Sequence, residues 1–163
     1  AATLIFGLPT ETRKDRWYTL KLVRSLPLAS ARFNTLIPYP GTPAFVQLNR
    51  EGKVLIKKDW ANFAVQYMWE GDDIPYVPDG SNRYELIFDT MFANLSFYLS
   101  LSGIMKLIKS PFAGGNVIKL SGRWYLSPAT MWKFSKVFLY ISKRFLYVTY
   151  RMMLEKKWMN NAV

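Results

Sequence analysis

The sequence predicts an α/β fold, one strand–helix–strand unit followed by a helical tail, and three observations carry that expectation. Residues 3–7 (Thr-Leu-Ile-Phe-Gly) are a short apolar, β-branched run closed by Gly-Leu-Pro, the pattern of a buried strand. Thr12, with Asp15 three residues later, resembles a capping box ahead of a helix that Pro27 stops. Residues 32–37 (Arg-Phe-Asn-Thr-Leu-Ile) make a second run, followed at once by Pro-Tyr-Pro-Gly-Thr-Pro. Strand, helix and strand within about forty residues fit one βαβ unit with parallel strands and a right-handed crossover.

Each element follows from local pattern. The first helix runs to about Leu26, with Trp17, Leu20, Val23 and the pair Leu22/Leu26 on its apolar side and Arg13, Lys14, Lys21 and Arg24 in water. After the second strand, residues 44–48 read as a short helix and 54–56 as a small extended piece, and 60–69 are rich in aromatics. Residues 71–81, with three Asp and several Gly/Pro turns, read as a loop. A helix from about Asn82 to Leu99 follows, then one from Ser102 to about Lys109, then a break at Pro111 and Gly114-Gly115. Ser127-Pro128 starts a final long helix, N-cap then N1, reaching about Trp158.

Composition excludes several chemistries. The 163 residues include no cysteine and no histidine. The chain therefore supplies no disulfide, no Cys ligand for zinc or an iron–sulfur cluster, and no imidazole for a Ser-His-Asp or Cys-His machine. The formal charge of +11 is concentrated late: residues 112–163 carry nine Lys/Arg against Glu155 alone. That asymmetry points to an acidic partner or an anionic surface for the tail. The longest stretch without formal charge, residues 90–105, falls short of the roughly 18–20 apolar residues of a membrane span. The amino terminus has neither an initiator Met nor a basic segment before its apolar run. It reads as a cut through a longer protein rather than a signal peptide, and the expected location is cytoplasmic, with possible attachment to a membrane surface.

Ligands of open or barrel α/β folds sit beyond the carboxyl ends of the strands, which here are Gly7-Leu8-Pro9 and Pro38-Tyr39-Pro40-Gly41. The string Ile5-Phe6-Gly7-Leu8-Pro9-Thr10-Glu11-Thr12, a helix bearing Thr19 and Leu26, and then Ile37-Pro38-Tyr39-Pro40-Gly41-Thr42 resemble radical S-adenosylmethionine enzymes. The narrower resemblance is to the class with an N-terminal cobalamin-binding domain, the group of the anaerobic magnesium-protoporphyrin ester cyclases and several methyltransferases. Lys58-Asp59-Trp60 and the segment Asn94–Tyr98 also fit that group. The first 60 residues carry the specific part of the match. Thr10 stands where the family usually has Gly, and Thr3 replaces another common Gly.

The resemblance implies a partial (β/α)6 TIM-like barrel, with residues 1–60 supplying its last two strands and 61–163 a helical C-terminal extension. It implies that Ile5 packs on the adenine of S-adenosylmethionine, that Gly7 allows close backbone approach and that Glu11 starts the next helix. The segment Ile37-Pro38-Tyr39 would offer main-chain groups to the adenine edge. The [4Fe-4S] cluster, and possibly cobalamin, would be held by sequence upstream, the missing N-terminal part of the same protein. This chain alone would then be inactive. With that partner it would help modify an unactivated carbon of a small-molecule or lipid-like substrate, by methylation or cyclisation.

Plainer roles stand beside these. Glu11 also suits a first-turn partner of the helix dipole. Asn34 faces either a barrel interior or a strand edge. Trp60, Phe63, Tyr67 and Trp69 read as helix packing ahead of a lining for a flat substrate, and Glu70, Asp72, Asp73 and Asp79 as a solvated loop ahead of a metal site. The aromatic and basic residues of 128–158 suit packing against the rest of the fold. The alternative function is a non-catalytic basic amphipathic module on an anionic membrane surface. No recognised nucleic-acid reader is present.

Overall fold

The structure, a computed structural model, describes residues 1–99, 117–120, 123–126 and 128–161, with side chains over 1–99, 132–133 and 135–155. Strand β1 (Ala2–Phe6) leads into helix α1 (Arg13–Ser25), strand β2 (Ala31–Thr35) and helix α2 (Pro43–Arg50). Two 3-10 turns, Lys58–Phe63 and Tyr67–Trp69, precede helix α3 (Arg83–Tyr98). Strands β3 (Val117–Leu120) and β4 (Arg123–Leu126) pair antiparallel, and helix α4 covers Pro128–Asn161. The β3–β4 pair had no counterpart in the sequence expectation. The expected helix over 102–109, the break at 111–115 and the Ser127 cap lie outside the described residues.

Strand pairing within the βαβ unit is parallel, in register from Ala2↔Ala31 to Phe6↔Thr35. The capping box forms as the sequence implied: Thr12 N donates to Asp15 Oδ2 at 2.9 Å and Asp15 N to Thr12 Oγ1 at 3.3 Å. β2 is shorter than the 32–37 run. Leu36 N still donates to Phe6 O at 2.8 Å, but Pro38 has no N–H to carry a ladder further. Residues 54–56 form no strand; Leu55 N makes a bond of 2.8 Å to Pro75 O. Asn82 caps α3, its Oδ1 accepting from Tyr84 N at 2.7 Å and Glu85 N at 3.2 Å.

One apolar cluster runs from Phe6 and Phe33 through Leu20 and Val23 of α1, Leu86 and Met91 of α3, to Val148 and Met152 of α4. The expected apolar side of α1 needs correction. Residues 16, 20 and 23 share the inward stripe, so Arg16 takes the position beside Leu20 and Val23, and Leu22 and Leu26 are exposed. Arg13, expected in water, is paired to α3.

The sheet is asymmetric. Leu4, Phe6, Phe33 and Thr35 face the packed helices, whereas Thr3, Ile5 and Arg32 on the other face are exposed. Asn34, in register with Ile5, stands on that second face and is buried. The edges differ as well. Because Leu36 bonds Phe6, alternation turns the N–H and C=O of Phe33 away from β1. There Asn94 of α3 closes them: Phe33 N donates to Asn94 Oδ1 at 3.1 Å and Asn94 Nδ2 to Phe33 O at 2.7 Å. The side-chain amide thus occupies the place of a neighbouring strand. The opposite edge, at Thr3 and Ile5 of β1, has no partner strand among the described residues. Two parallel strands and their crossover helix are the extent of this sheet among the described residues, and no described helix is long and apolar enough to cross a membrane.

Candidate functional site

Parallel pairing brings both proline-marked turns to the same end of the sheet, with Phe6 and Thr35 as the last paired residues. The β1–α1 turn leaves through Gly7 at φ +90°, a conformation that strains any residue with a Cβ. A Cβ there would also stand 3.0 Å from Leu86 Cδ2 of α3. Glu11 N donates to Leu8 O at 2.9 Å, and the Glu11 carboxylate accepts the Gly7 N–H. Leu8, Pro9 and Thr10 are exposed. With Gly7 already at positive φ, Thr10 closes this turn without a second glycine.

The second turn is held by its own cap. Thr42 Oγ1 donates to Tyr39 O at 2.7 Å and accepts from Phe45 N at 3.2 Å, with Pro43 starting α2. Gly41 adopts φ +84°. Ile37 is half-buried, Pro38 buried, and the Tyr39 ring is 46% exposed. Ile5, 49% exposed, offers an apolar side chain on the bare face of β1. Five of the six residues named from the sequence therefore fall on two turns at one end of the sheet, and the sixth, Ile5, lies on the adjoining open face of β1. Only Gly7 and Glu11 are in hydrogen-bond contact with each other. A shallow groove of about 510 Å³ beside α2 is lined by Gly41, Pro43, Val46, Gln47, Arg50 and Glu51, and none of the six lines it.

Behind the first turn lies a buried ion network that the sequence reading missed. Arg16, 1% exposed, donates from Nε to Asp89 Oδ2 at 2.9 Å and from Nη2 to Glu85 Oε1 at 2.9 Å. Its Nη1 stands 3.8 Å from Glu11 Oε2. Arg13 Nη2 donates to Asp89 Oδ1 at 2.9 Å, and its Nη1 is 3.4 Å from Glu85 Oε2. Burial raises the Glu11 carboxyl above its ordinary value, against the pull of the Gly7 N–H and Arg16. Burial likewise raises Asp89, against Arg13 and Arg16. The signal in the sequence was an arginine in register with Leu20 and Val23, and an aspartate within an otherwise apolar turn of α3. The network clamps the Gly7–Glu11 turn to α3, so its chemistry is positioning.

The Lys58-Asp59-Trp60 segment is a turn in which Asp59 and Trp60 take φ 56° and 59°. Asn62, fully buried, holds it: Lys57 N donates to Asn62 Oδ1 at 3.1 Å, and Asn62 Nδ2 to Leu55 O at 2.7 Å and Asp73 O at 2.8 Å. Trp60 packs on Phe63 at 4.9 Å and on Phe45 of α2 at 6.1 Å between centroids. In the acidic segment Glu70 and Asp79 are exposed as expected, whereas Asp72 and Asp73 are half-buried. Asp72 accepts from Arg144, Tyr84 and Tyr147; Asp73 pairs with Arg83 and Lys57, and Asp79 with Lys53. Among the described residues no group of three or more acidic side chains is placed to hold a metal ion. No protein-family model matches the chain, and neither a curated protein nor a solved structure does.

Proposed function

We propose that this chain is the C-terminal portion of a radical S-adenosylmethionine enzyme of the cobalamin-binding-domain class, supplying the adenine side of the cofactor site. The observation that carries the reading is the pair of turn-rich tips leaving one end of a parallel sheet, beside a face open at Thr3, Ile5 and Arg32 and a β1 edge with no partner strand among the described residues. With the β2 edge closed by Asn94, further parallel strands add next to Thr3 and Ile5, which makes β2 the last strand of a partial barrel and turns the bare face inward.

Donor chemistry limits what this chain holds. Lacking cysteine and histidine, it does not fit a [4Fe-4S] cluster or an imidazole–cobalt bond, and those ligands belong to the upstream part. The residues present do fit an adenine: Ile5 gives apolar surface to one face, and the turn through Gly7 and the segment Ile37-Pro38-Tyr39 border the same end. S-adenosylmethionine, activated by groups outside this chain, would supply radical chemistry at an unactivated carbon. The role of Glu11 and Arg16 is to hold the Gly7 turn in place.

Two measurements test this. The reading frame upstream of Ala1 encodes Cys-x-x-x-Cys-x-x-Cys; a frame opening at Ala1 without it refutes the reading. In the complete enzyme, Ile5→Asp sets a charge against the purine and lowers S-adenosylmethionine affinity about tenfold or more. Ile5 is half exposed, so the fold tolerates the change, and undiminished affinity removes Ile5 from the site.

A further inference from the structure

Among the described residues, helix α4 has two apolar sides and covers one of them, over the stretch from Phe145 to Met152. Val148 and Met152 enter the core, with Phe145 packed against it. On the opposite side Trp132, Leu139, Leu146 and Met153 recur every seven residues, and all four are exposed. Leu146 and Tyr150, at 68% and 61% exposed, are among the most open large apolar side chains described. The ridge from 132 to 153 is about 32 Å long at the rise of an α-helix. Lys136 and Lys143 flank it, and the Lys136 ammonium lies 4.9 Å above the Trp132 ring. No acidic residue occurs from 128 to 154. The first, Glu155, accepts a hydrogen bond from Asn82.

Pattern and charge select the occupant. A second copy of α4 needs a second apolar position in each heptad, but the positions three after each ridge residue are Ser135, Ser142 and Thr149. Pairing two copies would also set lysine against lysine with no acid between. A nucleic-acid backbone answers the lysines but leaves Leu139 and Leu146 with nothing apolar to contact. A lipid interface satisfies both sets. Leucine, methionine, tryptophan and tyrosine enter the headgroup–acyl boundary, and lysine stems run outward to phosphates. We propose that α4 lies in the surface of a membrane containing anionic lipid, with the 132–153 ridge buried and Lys136 and Lys143 on lipid headgroups. This docking is independent of the cofactor reading and survives its failure.

The test is sedimentation of the full chain with phosphatidylcholine vesicles, with and without phosphatidylserine. The expected result is partition onto the anionic vesicles alone, weakening as salt screens the lysines. Leu139→Ser with Leu146→Ser lowers partition about tenfold or more, and Lys136→Ala and Lys143→Ala each lower it about fivefold. All four positions are exposed, so circular dichroism and the unfolding midpoint stay as in the parent. The proposal is overturned by absence of partition onto anionic vesicles at low salt. It is equally overturned by binding that the leucine pair leaves intact while duplex DNA competes it away, which marks a polyanion site. Concentration-dependent assembly without vesicles, lost in the same leucine variant, overturns it in favour of a second copy.

Discussion

Two helices are anchored through an arginine: Arg16 ties α1 to α3, and Arg144 ties α4 to the segment from Met68 to Asp72. At the α1–α3 seam, Arg16 is closed from water and meets Glu11, Glu85 and Asp89, with Arg13 as a second cation. On α4, Arg144 meets a single carboxylate, Asp72, at 2.7 Å, and donates from Nη2 to the carbonyls of Met68 at 3.0 Å and Gly71 at 2.6 Å. Its surroundings stay partly open: the Asp72 side chain is 22% exposed. The first seam sets one buried and two half-buried carboxylates against two guanidiniums, so removing a cation strands charge. The second replaces most of its charge partners with neutral carbonyls and two tyrosines, so removing the cation strands dipoles. The first fixes the Gly7 turn; the second can loosen without disturbing it.

The sharpest way to break this comparison is at Arg16. Arg16→Met takes from the buried Asp89 one of its two guanidinium partners and from Glu85 its 2.9 Å partner, and we expect a loss of about 3–5 kcal/mol in unfolding free energy by denaturant titration. Asp89→Leu in the same background returns much of it, because the stranded charge and not the lost pair dominates. A single-variant loss below about 1 kcal/mol would show the network to be no more than a surface pair.

The Arg144 seam should answer more weakly. Arg144→Ala removes hydrogen bonds to Asp72 and two carbonyls, each partly replaceable by water, for about 2 kcal/mol. Amide exchange then separates the seams: α4 amides exchange faster, whereas those of β1 and α1 keep their protection. Equal deprotection of both regions would make the molecule one cooperative unit and erase the distinction.

What the sequence made legible here was mostly local. The cap at Thr12, the stop at Pro27 and the parallel strand pair depend on residues close in the chain and formed as expected; the caps at Thr42 and Asn82 are as local but were not read from the sequence. The missed features are long-range. Arg16 belongs to the inward stripe of α1 only because Glu85 and Asp89 arrive about seventy residues later, and a helical pattern alone places a charged residue in water. Asn94 looks like an ordinary helix residue until the Phe33 edge is beside it. Asp72 and Asp73 looked solvated because their cations come from α3, α4 and Lys57. Of the six site residues, Ile5 was placed on the first strand and the other five at turns whose shared end follows from strand direction, which the βαβ spacing does reveal. What lies against those turns is decided by neighbours that pattern alone does not specify.

The finest test of the comparison is acid. Burial acts to raise the Asp72 carboxyl, but hydrogen bonds from Tyr147, Arg144 and Tyr84 outweigh it and hold the carboxyl below its ordinary value. A carboxylate with a lowered folded pKa binds fewer protons in the folded state, so its contribution to stability is complete above the unfolded value, about 3.9, and is lost as pH falls through the lower folded one. The α4 seam should therefore hold at neutral pH and slacken only in strongly acid solution. Asp89 differs in sign: burial raises it, so its protonation begins at higher pH and relieves a buried charge instead of breaking a favourable pair. Following α4 and α1 amide exchange separately through an acid titration distinguishes the two, with α4 losing protection as Asp72 protonates. In Asp72→Asn that acid-dependent loss should vanish, because the amide still accepts from Arg144 and has no charge to lose. Persistence of the same loss in Asp72→Asn would assign the acid response of α4 to some other carboxylate.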